Sequence, residues 1–262
     1  MITRALVGII GAVLAIIVVY TGGMPLLVAL ILLSILGLHE FYRMSRAFKP
    51  HLLAGYLGTI LILLGTYYDP PGGTLWGVLG LFLLTFVLHA VRGLNSEMVA
   101  QMSVTFFGSF YVGVGFAHVI MLQAFPSIGV SLAILVLLAT WTSDTVAYAV
   151  GHYLGHRPIS PVISPKKTLE GTVAGFIGTI IIVLIAGKSL GWMSSGKFFI
   201  LGLVIAVAAP VGDLFESYIK RAFHVKDAGT IIPGHGGVLD RFDSLLFAGA
   251  AAYYALFVML GN

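Results

Sequence analysis

Long apolar runs separated by short polar segments dominate the sequence. About nine runs have the length, roughly 17–25 residues, that an α-helix needs to cross a hydrocarbon core. The predicted spans are 4–22, 24–38, 51–68, 74–93, 101–122, 127–153, 168–188, 197–219 and 241–260. The second run is short and follows the first directly after TGGMP, so these two predict either a tight hairpin or a partly re-entrant pair. The pattern predicts an all-α polytopic membrane protein.

Composition supports the membrane assignment. Of the 262 residues, 59% are hydrophobic and only 9% are charged, and the mean hydropathy is +1.04. A soluble fold of this length would expose large apolar patches. Because cysteine is absent, disulfides, thiolate metal sites and cysteine nucleophiles are excluded. No long soluble segment or repeat divides the chain, which predicts one integral membrane domain over 1–262, with N-terminal helices in 1–140 and catalytic helices and loops in 141–262.

The formal net charge of +4 is spread over short loops, a distribution typical of membrane topology and not of nucleic-acid binding. With nine spans, most cations fall on one face, whereas Lys188 and Lys197 fall on the other. The positive-inside rule therefore predicts cytoplasmic loops and amino terminus, an outside carboxyl terminus, and a location in the cell (inner) membrane. The first run is predicted to be a retained helix because it lacks a clear signal-peptide cleavage site. The cations on the first face are Arg4, Arg43, Arg46, Lys49, Arg92, Arg157, Lys166, Lys167, Lys220, Arg221, Lys226 and Arg241.

Acidic residues inside apolar runs need another explanation, because acids contribute little to topology and are costly in a bilayer. Asp144 shares a helical face with Tyr148, Gly151 and Gly155, a stripe of polar and small residues. A hydrogen bond to a neighbouring helix is the structural alternative to a site role. Asp213 follows Pro210 and Gly212, which predicts a broken helix lining a cavity.

Asp240 and Asp243 lie three residues apart at the start of the last run, so they point in one direction on a helix. Helix capping by Asp243 or Ser244 is the structural alternative. Together with Asp144 and Asp213 they form a carboxylate set suited to Mg²⁺, which binds a few carboxylates and leaves positions for phosphate oxygens. Zinc is the poorer prediction because thiolates and an HExxH spacing are absent.

Two loops combine glycine or proline with basic side chains, as phosphate-binding loops do. The first surrounds PGHGG, and its candidates are Lys220, Arg221, Lys226, His235, Gly236, Gly237 and Arg241. The second is ISPKKTLEG, whose candidates are Ser164, Lys166, Lys167 and Thr168, with Glu170 as a further metal or phosphate neighbour. Because TLEG leads into a helix, the amino end of that helix is also predicted to favour an anion.

Carboxylates beside basic loops at a membrane face indicate phosphoryl or nucleotidyl transfer to a lipid. Two other classes remain open from the residues alone. Buried aspartates near a broken helix also occur in cation-coupled transporters, although no inverted repeat is visible. An inert membrane scaffold would make the acids irrelevant to any turnover.

The stretch Ser217 to Asp243, SYIKRAFHVKDAGTIIPGHGGVLDRFD, resembles the signature of the phosphatidate cytidylyltransferases, also called CDP-diacylglycerol synthases. Asp144, the glycines of Gly151–Gly155 and SPKKTLEG resemble a second region of that family. Before residue 140 only the hydropathy and Glu40 fit. The related alternatives are a CTP-dependent lipid kinase and a cytidylyltransferase for ether lipids.

The resemblance implies that CTP and phosphatidic acid react to give CDP-diacylglycerol and pyrophosphate, with Mg²⁺ and room for a second cation. It implies that Asp213 and Asp240 are the principal metal ligands, assisted by Asp144 and Asp243, and that Lys220 is catalytic. The implied phosphate-binding residues are Ser164, Lys166, Lys167, Thr168, Ser217, Arg221, Lys226, His235, Gly236, Gly237 and Arg241. The implied partners are the two substrates and membrane lipids, the resemblance and small-residue stripes such as AGAAAYYA permit a homodimer, and the charge distribution predicts no nucleic-acid partner.

Overall fold

The computed structural model describes residues 2–93, 95–161, 163–229, 231 and 236–261, with only the backbone described for 2–7. Within these residues the chain forms nine α-helices, as predicted. A single 3₁₀ turn, Arg46–Phe48, follows the second helix. The helices are α1 (Ile2–Thr21), α2 (Gly23–Met44), α3 (Leu52–Tyr68), α4 (Gly72–Val91), α5 (Met98–Gln123), α6 (Gly129–Leu154), α7 (Leu169–Leu190), α8 (Ser195–Ala222) and α9 (Leu239–Leu260).

The chain is an integral membrane protein by the length and surface of its helices. Seven helices have the length and hydropathy of membrane spans, and α3 and the described part of α1 are shorter apolar helices. Large apolar side chains stay exposed on the outer faces, among them Leu83, Ile181 and Val207. In water such a surface would be costly, whereas a bilayer solvates it.

The second helix is longer than the predicted span 24–38. It continues to Met44 because Ser34 and Glu40, which weaken the hydropathy, are buried against other helices and do not face lipid. Gly22 has a φ of 61°, and this left-handed backbone makes the tight turn between α1 and α2. α2 is thus a full-length helix that follows α1 through a hairpin turn.

α5 lies at the centre of the bundle and contacts α2, α3, α4, α6 and α9. The helices that carry the candidate chemistry pack beside it as α6 on α7, α7 on α8 and α8 on α9. Small residues allow these close contacts. A Cβ on Gly212 would lie 2.6 Å from the carbonyl oxygen of Asp243, so α8 and α9 touch next to two candidate acids.

The predicted break in α8 is wrong. The helix is continuous from Ser195 to Ala222 and includes Pro210. Proline removes one backbone donor but does not end a helix whose flanks pack against neighbours on both sides. As a result Asp213 projects from an intact helix and has a fixed direction.

The segment between α6 and α7, predicted as a loop, contains a small antiparallel hairpin. Strand β1 is Pro158–Ser160 and strand β2 is Ser164–Thr168, with Ser160 opposite Ser164 and Pro158 opposite Thr168. The sequence pattern does not predict these strands, because they contain prolines and lysines, and neither residue type favours a strand. The hairpin is the one departure from an all-α fold among the described residues.

Candidate active site

A cavity of about 870 Å³ opens between α6, α7, α8, α9 and the β-hairpin. It brings together predicted site residues from regions that are far apart in the sequence. The predicted residues that line it are Asp144, Ser164, Lys166, Lys167, Thr168, Asp213, Asp240, Arg241 and Asp243. Carboxylates and amino groups therefore share one polar chamber inside an apolar helix bundle.

Three of the four acids that line this cavity come from three different helices: Asp144 from α6, Asp213 from α8 and Asp243 from α9. Electrostatic interactions link Asp213 with both of the other acids. The Ser244 hydroxyl donates to Asp144 Oδ1 at 3.2 Å, and the Ser244 backbone N–H donates to Asp243 Oδ1 at 2.7 Å. Like charges that interact in this way repel one another, so the acids favour a cation nearby.

Lys167 supplies one such cation. Its Nζ lies 2.6 Å from Asp213 Oδ1 and donates to the Ser217 hydroxyl at 3.4 Å. Both partners of the ion pair are partly exposed to the cavity, with side-chain exposures of 25% and 32%. The pair joins β2 to α8 and leaves the lysine accessible to an anion.

Asp240 occupies a different environment from the other three acids. Lys220 Nζ lies 2.6 Å from Asp240 Oδ1 and also pairs with Glu216 Oε2 on its own helix at 2.5 Å. Asp240 Oδ2 accepts backbone N–H bonds from Gly237 at 2.9 Å and from Ala228 at 3.1 Å. Asp240 and Lys220 therefore stabilise the connection between α8 and α9. Lys220 is already paired with two carboxylates in the absence of substrate.

α9 begins earlier than the capping alternative requires. It starts at Leu239, so neither Asp243 nor Ser244 caps it, and that alternative is wrong. Glu40 of α2 binds the backbone at this end of α9 instead. Its carboxylate accepts hydrogen bonds from the N–H of Val238, the residue before the helix, at 3.0 Å and from the N–H of Leu239, the first helical residue, at 2.9 Å. Glu40 is almost fully buried, at 1% exposure, and is a tertiary cap of the helix that carries Asp240 and Asp243.

Glu40 and Glu216 are two acids that the sequence prediction did not include among the site residues. Each acid was visible within an apolar run, which is the signal that could have found it. Glu216 is fully buried and depends on Lys220 for charge balance. Glu40 binds the start of α9 and Glu216 binds Lys220 on α8, and neither acid lines the cavity described above.

Two predictions about the ISPKKTLEG segment have different outcomes. The Thr168 side chain lines the cavity and caps α7 by accepting from Gly171 N at 3.2 Å. Glu170 does not surround a metal or phosphate: its Oε2 accepts from the backbone N–H groups of His156 and Arg157. Glu170 lies in the first turn of α7, and its two hydrogen bonds to His156 and Arg157 fix the turn between α6 and β1.

Several predicted phosphate-binding residues lie outside the cavity lining. Ser217 is buried and receives the Lys167 hydrogen bond, and Arg221 donates to the carbonyl oxygens of Ile163 at 3.1 Å and Val225 at 3.2 Å. Lys226 is exposed. Gly236 and Gly237 lie beside Asp240 and hold the loop, and His235 lies outside the described residues.

With this geometry established, the comparison with known proteins identifies the family. The sequence model of the cytidylyltransferase family matches residues 2–259. The chain belongs to this family. Among similar curated proteins is the phosphatidate cytidylyltransferase of Bacillus subtilis, 28% identical over 97% of this chain and 96% of that protein.

Further relatives carry the same name. The Staphylococcus saprophyticus protein is 32% identical over 93% of this chain and 94% of its own length, and the Thermotoga maritima protein is 37% identical over 62% and 59%. These comparisons confirm the resemblance found in Ser217–Asp243 and agree with the cytidylyltransferase prediction. They do not match the lipid-kinase, transporter or scaffold alternatives. The chain is a nucleotidyltransferase.

The cavity of this cytidylyltransferase is lined by carboxylates, the side-chain type that binds Mg²⁺ in proteins. The described residues contain no preformed group of three His, Asp or Glu ligands. Mg²⁺ does not need one, because it commonly binds one or two carboxylates and completes its octahedron with water and phosphate oxygens. Asp144, Asp213 and Asp243 offer such oxygens, whereas Asp240 would have to give up hydrogen bonds to Lys220 or the loop amides.

Proposed function

We propose that this protein transfers CMP from CTP to phosphatidic acid, giving CDP-diacylglycerol and pyrophosphate. One observation carries the proposal: the side chains of Lys166 and Lys167 line the same polar cavity within membrane helices as Asp144, Asp213 and Asp243, and Lys167 is paired directly with Asp213. The names of the relatives that align over nearly the whole chain support the same reaction. A triphosphate and a lipid phosphate both require cations, and the apolar bundle keeps the lipid tails in hydrocarbon.

In this reaction an oxygen of the lipid phosphate attacks the α-phosphorus of CTP. One P–O bond forms to the lipid, the bond to the β-phosphate oxygen breaks, and pyrophosphate leaves. The nucleophile is already an anion at neutral pH, so no strong general base is required. The main barrier is repulsion between two anions, which Lys166 and Lys167 on β2 lower from the cavity wall.

Mg²⁺ belongs to the proposal, held by one or two of the carboxylates of Asp144, Asp213 and Asp243 together with phosphate oxygens of the substrates. When bound it would neutralise charge on the phosphates and favour the leaving group. Lys167 has a second role, because its ion pair with Asp213 balances the acid before substrates enter. Lys220 and Asp240 maintain the α8–α9 geometry on which this arrangement depends.

We also propose the predicted topology, with the cavity, its loops and the amino terminus in the cytoplasm and the carboxyl terminus outside. The cation bias supports it. Because the chain has no cysteine, single cysteines at Lys49 and at Ser194 can be labelled with a membrane-impermeant maleimide in intact cells. Labelling at 194 and not at 49 is expected, and the reverse pattern would refute the orientation. A homodimer remains a prediction to be tested by the mass of the purified protein.

The reaction is tested with purified protein, labelled CTP, dioleoyl phosphatidic acid and Mg²⁺. We expect labelled CDP-diacylglycerol and an equal amount of pyrophosphate, and no turnover when a chelator replaces Mg²⁺. Asp213→Asn should lower kcat about a hundredfold or more because the cavity loses a charge that no neighbour replaces. Glu97→Gln, a change at an exposed acid outside the cavity, is the control and should leave turnover unchanged. Absence of a CDP-lipid from the wild-type reaction would refute the proposed function.

A further inference from the structure

Two aromatic rings lie parallel on the wall of the cavity. Tyr148 and His152 are four residues apart on α6, with ring centroids 5.9 Å apart and ring planes only 8° from parallel. Both line the cavity. Tyr148 is 74% exposed, so at least one face of its ring is uncovered. No part of the reaction described so far uses these rings.

The pair continues the helix face that carries Asp144. Residues four apart lie on one face of a helix, and each step of four advances by about 6 Å. Tyr148 therefore lies about 6 Å and His152 about 12 Å from Asp144 along the α6 axis. The rings extend from the acid cluster toward the end of the helix, a distance that suits the nucleoside part of a nucleotide whose phosphates lie at the acids.

The phosphate-binding strand passes close to the same part of α6. A Cβ placed on Gly151, between the two aromatic residues, would lie 2.9 Å from Thr168 Oγ1. Thr168 ends β2, which also carries Lys166 and Lys167. The lysines that would hold a triphosphate and the rings that would contact its base thus belong to adjacent walls of one chamber.

We infer that Tyr148 and His152 form a stacking platform for the cytosine ring of CTP. This inference rests on the proposed function, since it assigns the base subsite of the same cavity. A flat pyrimidine and the uncovered face of an aromatic side chain attract one another, and such stacking contributes about 1–3 kcal/mol per base. The His152 ring lies parallel to the Tyr148 ring and so helps to fix the direction in which the uncovered face of Tyr148 points.

Exposed tyrosines also occur at membrane interfaces as anchors. An anchor has no reason to line a polar cavity or to pair with a parallel imidazole, and Tyr148 does both. Tyr68, at the end of α3, provides a matched comparison: it is 73% exposed but does not line the cavity. Its removal tests the effect of losing an interfacial tyrosine alone.

The test measures equilibrium binding of two ligands, CTP and inorganic pyrophosphate, to the purified full-length protein. Tyr148→Ala should raise the Kd for CTP about tenfold or more, since the base loses its stacking partner. The Kd for pyrophosphate should stay unchanged because pyrophosphate has no base. Tyr148→Phe keeps the ring and should stay within about twofold of wild type for both ligands. Tyr68→Ala should match wild type.

An unchanged CTP affinity in Tyr148→Ala would overturn the platform, and so would an equal loss of CTP and pyrophosphate binding. A selective loss of CTP binding by Tyr68→Ala would overturn it as well, because the effect would then belong to any exposed tyrosine. The proposed function is refuted by a different result, the absence of CDP-diacylglycerol formation by the wild-type protein. If wild-type protein binds CTP and Tyr148→Ala weakens it selectively, the platform stands even where no CDP-diacylglycerol forms.

Discussion

Replacing Glu40 tests whether a buried acid on α2 fixes the position of α9, which carries Asp240 and Asp243. Glu40 of α2 accepts two backbone hydrogen bonds at the start of α9, from Val238 at 3.0 Å and Leu239 at 2.9 Å. Gly237 packs directly against the Glu40 carboxylate, since a Cβ on Gly237 would lie only 2.6 Å from Glu40 Oε2. We expect Glu40→Gln and Glu40→Ala to destabilise the fold and to lower turnover.

The expected magnitude follows from the number of bonds lost. Hydrogen bonds to a charged group contribute about 1.5–3 kcal/mol each. The glutamine amide oxygen keeps one N–H partner, whereas its NH₂ group faces the other donor, so Glu40→Gln should cost about 1.5–3 kcal/mol. Glu40→Ala loses both bonds and leaves two buried donors unsatisfied, for about 3–6 kcal/mol. Because α9 carries Asp240 and Asp243, kcat should fall in the same order.

The free energy of unfolding is measured by denaturant titration in detergent, and kcat by the CDP-diacylglycerol assay. Glu97→Gln is the matched control, because it makes the same substitution at an exposed acid paired with Lys49, and no change is expected. The reasoning is refuted if Glu40→Gln and Glu97→Gln have the same stability and turnover. A stability loss without any loss of turnover would show that Glu40 supports the fold but does not position the acids.

Two further predictions concern the α8–α9 connection and the start of α7. Lys220→Met leaves the fully buried Glu216 and the mostly buried Asp240 without their cation, so it should lower the free energy of unfolding by about 3–5 kcal/mol. Adding Glu216→Gln should restore part of that loss, and a double variant no better than the single one would contradict the account. Thr168→Ala removes the cap on Gly171 N and should cost about 1 kcal/mol, whereas Thr168→Ser should keep the hydroxyl and the stability. Equal stability of the alanine and serine variants, read from the same titration, would count against the cap.

The number and position of the helices could be predicted from the sequence because the requirement for crossing a bilayer applies to consecutive residues of the chain. A span needs only enough consecutive apolar residues to cross the hydrocarbon, and this property depends on neighbours in the chain. The same locality explains the errors. Ser34 and Glu40 lowered the hydropathy of α2 although they face other helices, and the prolines and lysines of residues 158–168 hid a two-stranded hairpin.

The acidic residues could also be recognised without coordinates, since an ionisable group in an apolar run is costly and needs a reason. The different environments of these acids could not be recognised without coordinates. Asp240 and Asp243 lie three residues apart, but Asp240 binds Lys220 and the loop amides, whereas Asp243 is buried and interacts electrostatically with Asp144 and Asp213. That division depends on how α8 and α9 are rotated against each other, which periodicity alone does not fix.

The sequence by itself determined a bundle of nine helices, its cytidylyltransferase signature and the residue types of its chemistry. Only the tertiary structure decided which side chains meet. Glu40 caps α9 from 198 residues away, and Ser244 reaches Asp144 across 100 residues. Contacts at such separations follow from the packing of helix faces, and helix packing is a property of the whole bundle that no local stretch of the chain encodes.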